Sequence, residues 1–333
     1  MWKLYYIKNL NALINIFAPN SIVKKKFEDF KGKKIAIDAS LLIYQFVIAI
    51  RNTDGDLTNS EGEMTSHIHA VVSKSLLYLD NGIIPIFVFD GKPSNLKNDT
   101  LDKRREDREI NKKLMNDNID DKDKKIKYFK KSTHISFKQM DQCKEVLKAM
   151  GIPVIESLEE SDSQCALLTK NDIAYGVGTE DMDILTFGSK KLLRNISSSK
   201  KNEIVEYDLK KVLDELNYTH DEFIDLCILL GCDYVEHLEG IGIRKAKEII
   251  DEHRSIFNYL NSPQYDPYIV PNGYAEKCNS AKEYFKNPVG NQYTNAQLKL
   301  TTPDQKKLRD LLINKYSYSK TKTEKIIAKI VAT

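Results

Sequence analysis

The strongest constraint on the fold of this chain is a set of short β-branched and aromatic runs that each stop on an aspartate. "KKIAIDAS" (residues 33–40) and "IIPIFVFDGKP" (residues 83–93) are too uniformly apolar to alternate between core and water. Such runs read as strands buried on both faces, the pattern of a largely parallel sheet covered by helices. Helical stretches are expected between them at 41–51 and 66–81, the second with Ile68, Val71, Val72, Leu76 and Leu79 on one face and a stop at Asn81-Gly82. Downstream, a helix closes at Gly151 and a short strand follows, "EESDSQCALLTK" starts another helix, and "NDIAYGVGTEDMD" is a third strand ending in acids. "KNEIVEYD" is a fourth, and Thr219 with Glu222 forms a capping box ahead of "DEFIDLCILLG", which Gly231 ends. The fold class is therefore α/β, a central, mostly parallel twisted sheet flanked by helices.

Composition excludes several classes. With 333 residues and 41% apolar content, the chain can bury a real core. The longest apolar run, "LLIYQFVIAI", is half of what a bilayer requires, and the N-terminal stretch lacks a secretory pattern, so no membrane role or export is expected. Five cysteines without C-x-x-C pairing suit a reduced, intracellular protein with no zinc site. A net charge of +3 over the whole chain says little, so its distribution has to decide. Residues 92–131 hold 14 basic and 9 acidic side chains, net +5, with few large apolar ones; composition alone makes this a solvated loop or an exposed helix pair.

The chemistry lies in the acids at strand ends. In open α/β sheets ligands bind beyond the carboxyl ends of the strands, where Asp38, Asp90, Asp181 and Asp183 all fall. One such Asp is ordinarily a helix cap or turn former. Four, with Glu160 and Asp162 opening one helix and Asp233 following another, would raise one another's pKa values unless a cation sat among them. Hard oxygen donors in that number suit Mg²⁺ or Mn²⁺, and are enough for two ions about 4 Å apart acting on a phosphoryl group. On residue types alone a two-metal phosphodiesterase, a single-metal phosphatase and structural acids all remain open. Further on, "GIGIRKA" places Gly240 and Gly242 before a helix carrying Arg244 and Lys245, a backbone-reading phosphate contact or a tight turn.

"IAIDASLLIYQF", "VFDGKP", "TEDMDILTFG" and "FIDLCILLGCDY" followed by "GIGIRKA" resemble, in order and spacing, the flap endonucleases, structure-specific 5′ nucleases of the XPG type that act in replication and repair. The resemblance implies a PIN-like 5′ nuclease fold with a helical arch at about 92–134 and a helix-hairpin-helix-type DNA-binding element at about 219–255. Together these form a nuclease core over 1–255, with a helical extension over 256–333 packed on it. It implies hydrolysis at the base of a 5′ flap with 5′-3′ exonuclease activity, two Mg²⁺ ions for which Mn²⁺ can substitute, and K⁺ at the Gly240–Gly242 hairpin. Asp38, Asp90, Glu160 and Asp162 would form the first metal group and Asp181, Asp183 and Asp233 the second, with Asp181 also counted as catalytic; Glu180, pointing to the other side, need not bind. Lys97 and Arg104 would reach the scissile phosphate, and Tyr44, Arg51 and Thr65 would contact DNA. The implied partner is DNA with a 5′ flap or junction, met by a monomer at sites of replication, in the nucleus or, for a viral member, the cytoplasm.

Three departures qualify the match. "MWKLYYIKNL" stands where the family has a short Met-Gly-Ile start, the second acid of the family's Glu-x-Glu pair is Asp162, and "TKTEKIIAKIVAT" contains no Q-x-x-[LI]-x-x-[FW]-[FW] box, so a sliding-clamp partner is not expected. The Lys/Asn/Ile-rich composition suits a virus or a microbial parasite. Alternatives are a 5′ exonuclease or a bubble or junction nuclease of the same family, and a junction-binding scaffold without catalysis. The filled acidic positions argue against the scaffold.

Overall fold

In the computed structural model, residues 9–51, 56–117, 121–197, 203–263 and 270–332 are described. Among these residues seven strands form one sheet: β1 (Ile22–Lys25), β2 (Lys34–Asp38), β3 (Ile84–Phe89), β4 (Val154–Glu156), β5 (Gly176–Gly178), β6 (Lys191–Arg194) and β7 (Ile204–Asp208). Their order is β1-β7-β6-β5-β2-β3-β4. The run β6-β5-β2-β3-β4 is parallel, and β7 and β1 complete one edge in antiparallel pairing. From the central β2 the chain builds outward through β3 and β4, then crosses to the other side for β5. The switch point of the topology thus lies between β2 and β5, where doubly wound sheets open a crevice.

Side chains alternate across the strands, and both faces are covered. Ile35, Ile37, Phe87, Phe89 and Leu193 face one core, which the helices Ala39–Arg51, Ser66–Leu79 and Phe137–Ala149 complete. Ala36, Ile86, Val88, Val177 and Leu192 face the other, completed by the helices Leu10–Phe17, Ser161–Lys170, Leu209–Leu216, His220–Leu229, Ile243–His253 and Tyr274–Lys286. The capping box at Thr219 and Glu222 is present, with the two side chains and backbone amides bonded reciprocally. No helix among the described residues is long and apolar enough to cross a membrane.

The residues after 255, expected as a helical extension packed on the core, contribute to both of its faces. Tyr274, Cys278, Ala281 and Phe285 belong to one face, whereas Leu308, Leu311, Leu312, Ile326, Ile327 and Ile330 finish the other. Between these two contributions the chain is tied down at Gly151. The Gly151 carbonyl accepts from Thr301 N at 2.8 Å, and Gly151 itself has φ +76°. A Cβ there would meet the Thr301 carbonyl oxygen at 2.0 Å, so the approach needs glycine.

The basic stretch is a pair of packed helices, Asn98–Asp117 and Lys122–Lys131, the first without a single buried residue. Its length of 20 residues with no core face explains why composition could not separate a loop from a helix pair.

Candidate active site

Each strand-end acid is fixed by the element that follows it. Asp38 closes β2, and its carboxylate accepts from Leu41 N, Ser161 Oγ and Thr179 Oγ1, each at 3.2 Å. Asp90, one residue past β3, accepts from Ser161 N at 2.9 Å, so it lies at the N-terminus of the helix Ser161–Lys170. The capping and the cluster readings of these acids therefore hold together. Asp38 caps the helix after its own strand and Asp90 the helix of another segment, and this cross-capping draws β2, β3 and the Glu160 loop to one place.

Gly91 makes that convergence tight. Its amide donates to the Glu159 carbonyl at 2.7 Å, and a Cβ added to it would lie 2.0 Å from the Ser157 carbonyl oxygen. Gly91→Ala is expected to push the Asp90 turn away from the Glu160 loop, at a stability cost of about 1–3 kcal/mol. Cleavage should fall further than the urea-measured stability loss explains; an unchanged rate would show that the Asp90 turn can shift without consequence.

The other acids meet the base of the helix pair. Glu160 occupies the N-cap position of Ser161–Lys170 but makes no side-chain cap, which releases its carboxylate. Its Oε1 accepts from Tyr234 Oη at 3.0 Å and its Oε2 from Lys97 Nζ at 2.5 Å. Lys97 also pairs with Asp233 Oδ2 at 2.8 Å, while Arg104 donates to both Asp233 oxygens at 2.8 Å and Thr100 Oγ1 to its carbonyl at 2.7 Å. Lys97, Thr100 and Arg104 recur at helical spacing, so one face of the arch base carries all three onto Asp233.

The electrostatics of the cluster are unfavourable without added positive charge. Burial and then the neighbouring Asp90 raise Asp38 to about 7. Burial and then Asp181, Asp38 and Glu160 push Asp162 well above the ordinary range, and burial and then Asp183 do the same to Asp181. Burial alone would lower Lys97, but Glu160 and Asp233 outweigh it and hold the ammonium protonated. Asp162 Oδ1 is buried with no hydrogen-bond partner. Among the described residues, no three His, Cys, Asp or Glu side chains are gathered closely enough to cage an ion as they stand. The donor set is nonetheless all carboxylate oxygen, crowded and partly unsatisfied, which fits hard divalent cations.

"TEDMD" sends its acids two ways, although β5 has already ended at Gly178. Asp181 follows β5, its amide bonded to Thr179 Oγ1 at 3.1 Å and its Oδ1 accepting from Asp183 N at 2.9 Å. Asp183 opens the one-turn helix Asp183–Thr186, so it stands in a turn and not on the expected long strand. Glu180 instead pairs with Arg194 Nε at 3.0 Å and Asn195 N at 2.7 Å.

The expected DNA contacts scatter more. Gly240, Gly242, Arg244 and Lys245 are exposed together, with Gly242 as N-cap of the helix Ile243–His253. Tyr44 is half-buried on Ala39–Arg51; the Arg51 side chain lies outside the described residues. Thr65 needs correction: it is 1% exposed with its hydroxyl buried, because its backbone joins the Leu57 carbonyl and starts the helix Ser66–Leu79, so its side chain offers DNA no surface. Sequence reasoning passed over the hydroxyls that hold the acids, namely Ser161, Thr179, Thr100 and Tyr234. A signal existed for three of them: Ser161 lies between Glu160 and Asp162, Thr179 two residues before Asp181, and Tyr234 directly after Asp233.

The chain matches the XPG N-terminal domain over residues 6–111 and the XPG I-region over residues 151–233. It is 40% identical to flap endonuclease 1-A of Sorghum bicolor, over 97% of this chain and 86% of that protein. It is 39% identical to flap endonuclease 1 of Theileria parva, over 98% of this chain and 65% of that protein. Among solved structures, flap endonuclease-1 from Methanococcus jannaschii matches with a TM-score of 0.72 at 30% identity, covering 96% of this chain and 97% of that one. The catalytic core of Rad2 in complex with a DNA substrate has the same fold, with a TM-score of 0.74 at 24% identity, over 96% of this chain and 99% of that one.

Proposed function

We propose that this chain, which belongs to the flap endonuclease family and is a structure-specific 5′ flap endonuclease, cleaves DNA with the aid of two divalent cations held by its strand-end acids. The observation that carries this reading is the convergence of acids from β2, β3 and the β4 and β5 loops with two arch cations already on Glu160 and Asp233. Asp38, Asp90, Glu160 and Asp162 would hold one Mg²⁺ and Asp181, Asp183 and Asp233 the other, with Mn²⁺ as a substitute. The chemistry that bound cations supply is activation of water as nucleophile and neutralisation of charge on the leaving oxygen.

The rest falls to the chain itself. Lys97 and Arg104 would take the oxygens of the scissile phosphate, adding donors as negative charge grows in the transition state. The helix pair, charged on all sides, would admit single-stranded DNA and exclude duplex, which makes the junction the determinant of the cut. Gly240, Gly242, Arg244 and Lys245 would grip duplex phosphates without reading bases, with K⁺ at the hairpin, and Tyr44 would stack at the junction. A 5′-3′ exonuclease activity, a monomeric state and action inside the cell at replicating DNA complete the proposal.

Comparing a 5′ flap, a nicked duplex, a bubble and a four-way junction in Mg²⁺ and in EDTA tests it. The flap is expected to be cut fastest, independently of base sequence and only with the cation. Faster cutting of the bubble or junction would overturn the substrate assignment, and cutting in EDTA the cation assignment.

A further inference from the structure

We propose that Tyr234 is a positioning residue for the reaction: its hydroxyl fixes one oxygen of Glu160 so that the other is the one presented to a divalent cation. This rests on the two-cation reading above and assigns a role to a residue outside the carboxylate set. Tyr234 Oη donates to Glu160 Oε1 at 3.0 Å, across 74 residues of chain, while Lys97 takes Oε2 at 2.5 Å. A carboxylate restrained at one oxygen turns less freely, which leaves Oε2, the oxygen on Lys97, to exchange between the ammonium and a cation. The phenol is the donor of this pair, because the Glu160 carboxylate offers only acceptor oxygens.

The ring is placed with equal care. It meets Tyr284 edge-on at 5.1 Å and Phe285 at 5.2 Å, both from the helix Tyr274–Lys286. Phe285 in turn meets Phe187, just past the Asp183 helix, at 4.8 Å. These edge contacts set where the hydroxyl points, and they link the Glu160 loop, the Asp233 turn and the Asp183 turn through one aromatic cluster. Lys97 Nζ lies 5.9 Å from the same ring, so Tyr234 touches both partners of the ion pair that a cation would replace.

Tyr234→Phe removes the hydroxyl and keeps the ring. The test is titration of the metal-free full chain with Mn²⁺ alone, without DNA, followed by electron paramagnetic resonance. Tyr234→Phe is expected to weaken Mn²⁺ binding about 10-fold, the lower end for loss of such a supporting contact. The Mn²⁺ concentration for half-maximal flap cleavage should rise by the same factor, with KM for the flap at saturating Mn²⁺ unchanged. In a Glu160→Gln background, already weak for Mn²⁺, the second substitution should add nothing, because both act through one carboxylate. Wild-type affinity in Tyr234→Phe, or a fully additive loss in the double variant, would overturn the inference while leaving the two-cation reading intact. No Mn²⁺ binding by the wild-type chain would sink that reading, and this inference with it.

Discussion

Asp181→Asn should reduce flap cleavage by about 10³-fold or more, since a carboxylate serving a catalytic cation supplies several kcal/mol of transition-state stabilisation. The same substitution should make the metal-free protein more stable at neutral pH. Burial and Asp183 raise Asp181 well above its ordinary 3.8, so the folded chain holds a proton that the unfolded chain releases. Stability is then lost progressively as pH rises above about 4, until the folded-state pKa is passed. Asparagine carries no such penalty, and its carbonyl oxygen can still accept from Asp183 N. Urea unfolding in EDTA should show the variant gaining over wild type as pH rises from 4 to 8, with flap binding retained. A variant that is less stable throughout that range would mean that Asp181 is an ordinary structural acid, and a near-normal cleavage rate would remove it from the catalytic set.

Lys97→Ala should act in two opposite directions. Cleavage should fall about 10²–10³-fold, the usual cost of one donor aimed at developing charge in a water-poor site. Mn²⁺ binding to the DNA-free protein should tighten, because Glu160 Oε2 and Asp233 Oδ2 lose the ammonium that now holds them at 2.5 and 2.8 Å. Saturating cation therefore cannot rescue the rate. Recovery of cleavage at high Mg²⁺ would make Lys97 a structural prop of the acids and not a contact of the phosphate. Arg104→Ala, leaving Lys97 on both acids, should fall less far, and comparing the two variants measures how the charge is shared.

How much of this was legible in the sequence depends on how strongly each element announces itself. β2 and β3 are uniformly apolar and stop on Asp38 and Asp90, so the sheet and its reactive edge could be read directly. β1, "IVKK", and β6, "KLLR", could not. Both are only four residues long and lysine-bearing, and they owe their strand state to pairing with β7. The reading of "NDIAYGVGTEDMD" as one strand was too long for a different reason. Asp172 adopts a positive φ of 57° and Asp183 begins a helical turn, which leaves three residues, Gly176–Gly178, for β5. In the site, the acids showed by their number and position. Their partners did not, because Lys97 on Glu160 and Tyr234 behind it are joined only by tertiary folding; the resemblance named Lys97, and Tyr234, though directly after Asp233, was given no role.

The way residues 308–330 complete one face of the core has a consequence for how the enzyme is made. Until those residues leave the ribosome, the helices Ser66–Leu79 and Phe137–Ala149 lack part of their cover, and the strap from Thr301 to Gly151 has nothing to anchor beyond it. All the acids and both arch cations are synthesised well before that point, so a nascent chain carries the complete catalytic chemistry on an incomplete scaffold. Cleavage should therefore require residues 308–330, and a chain stalled short of Leu308 should be prey for proteases instead of a free nuclease.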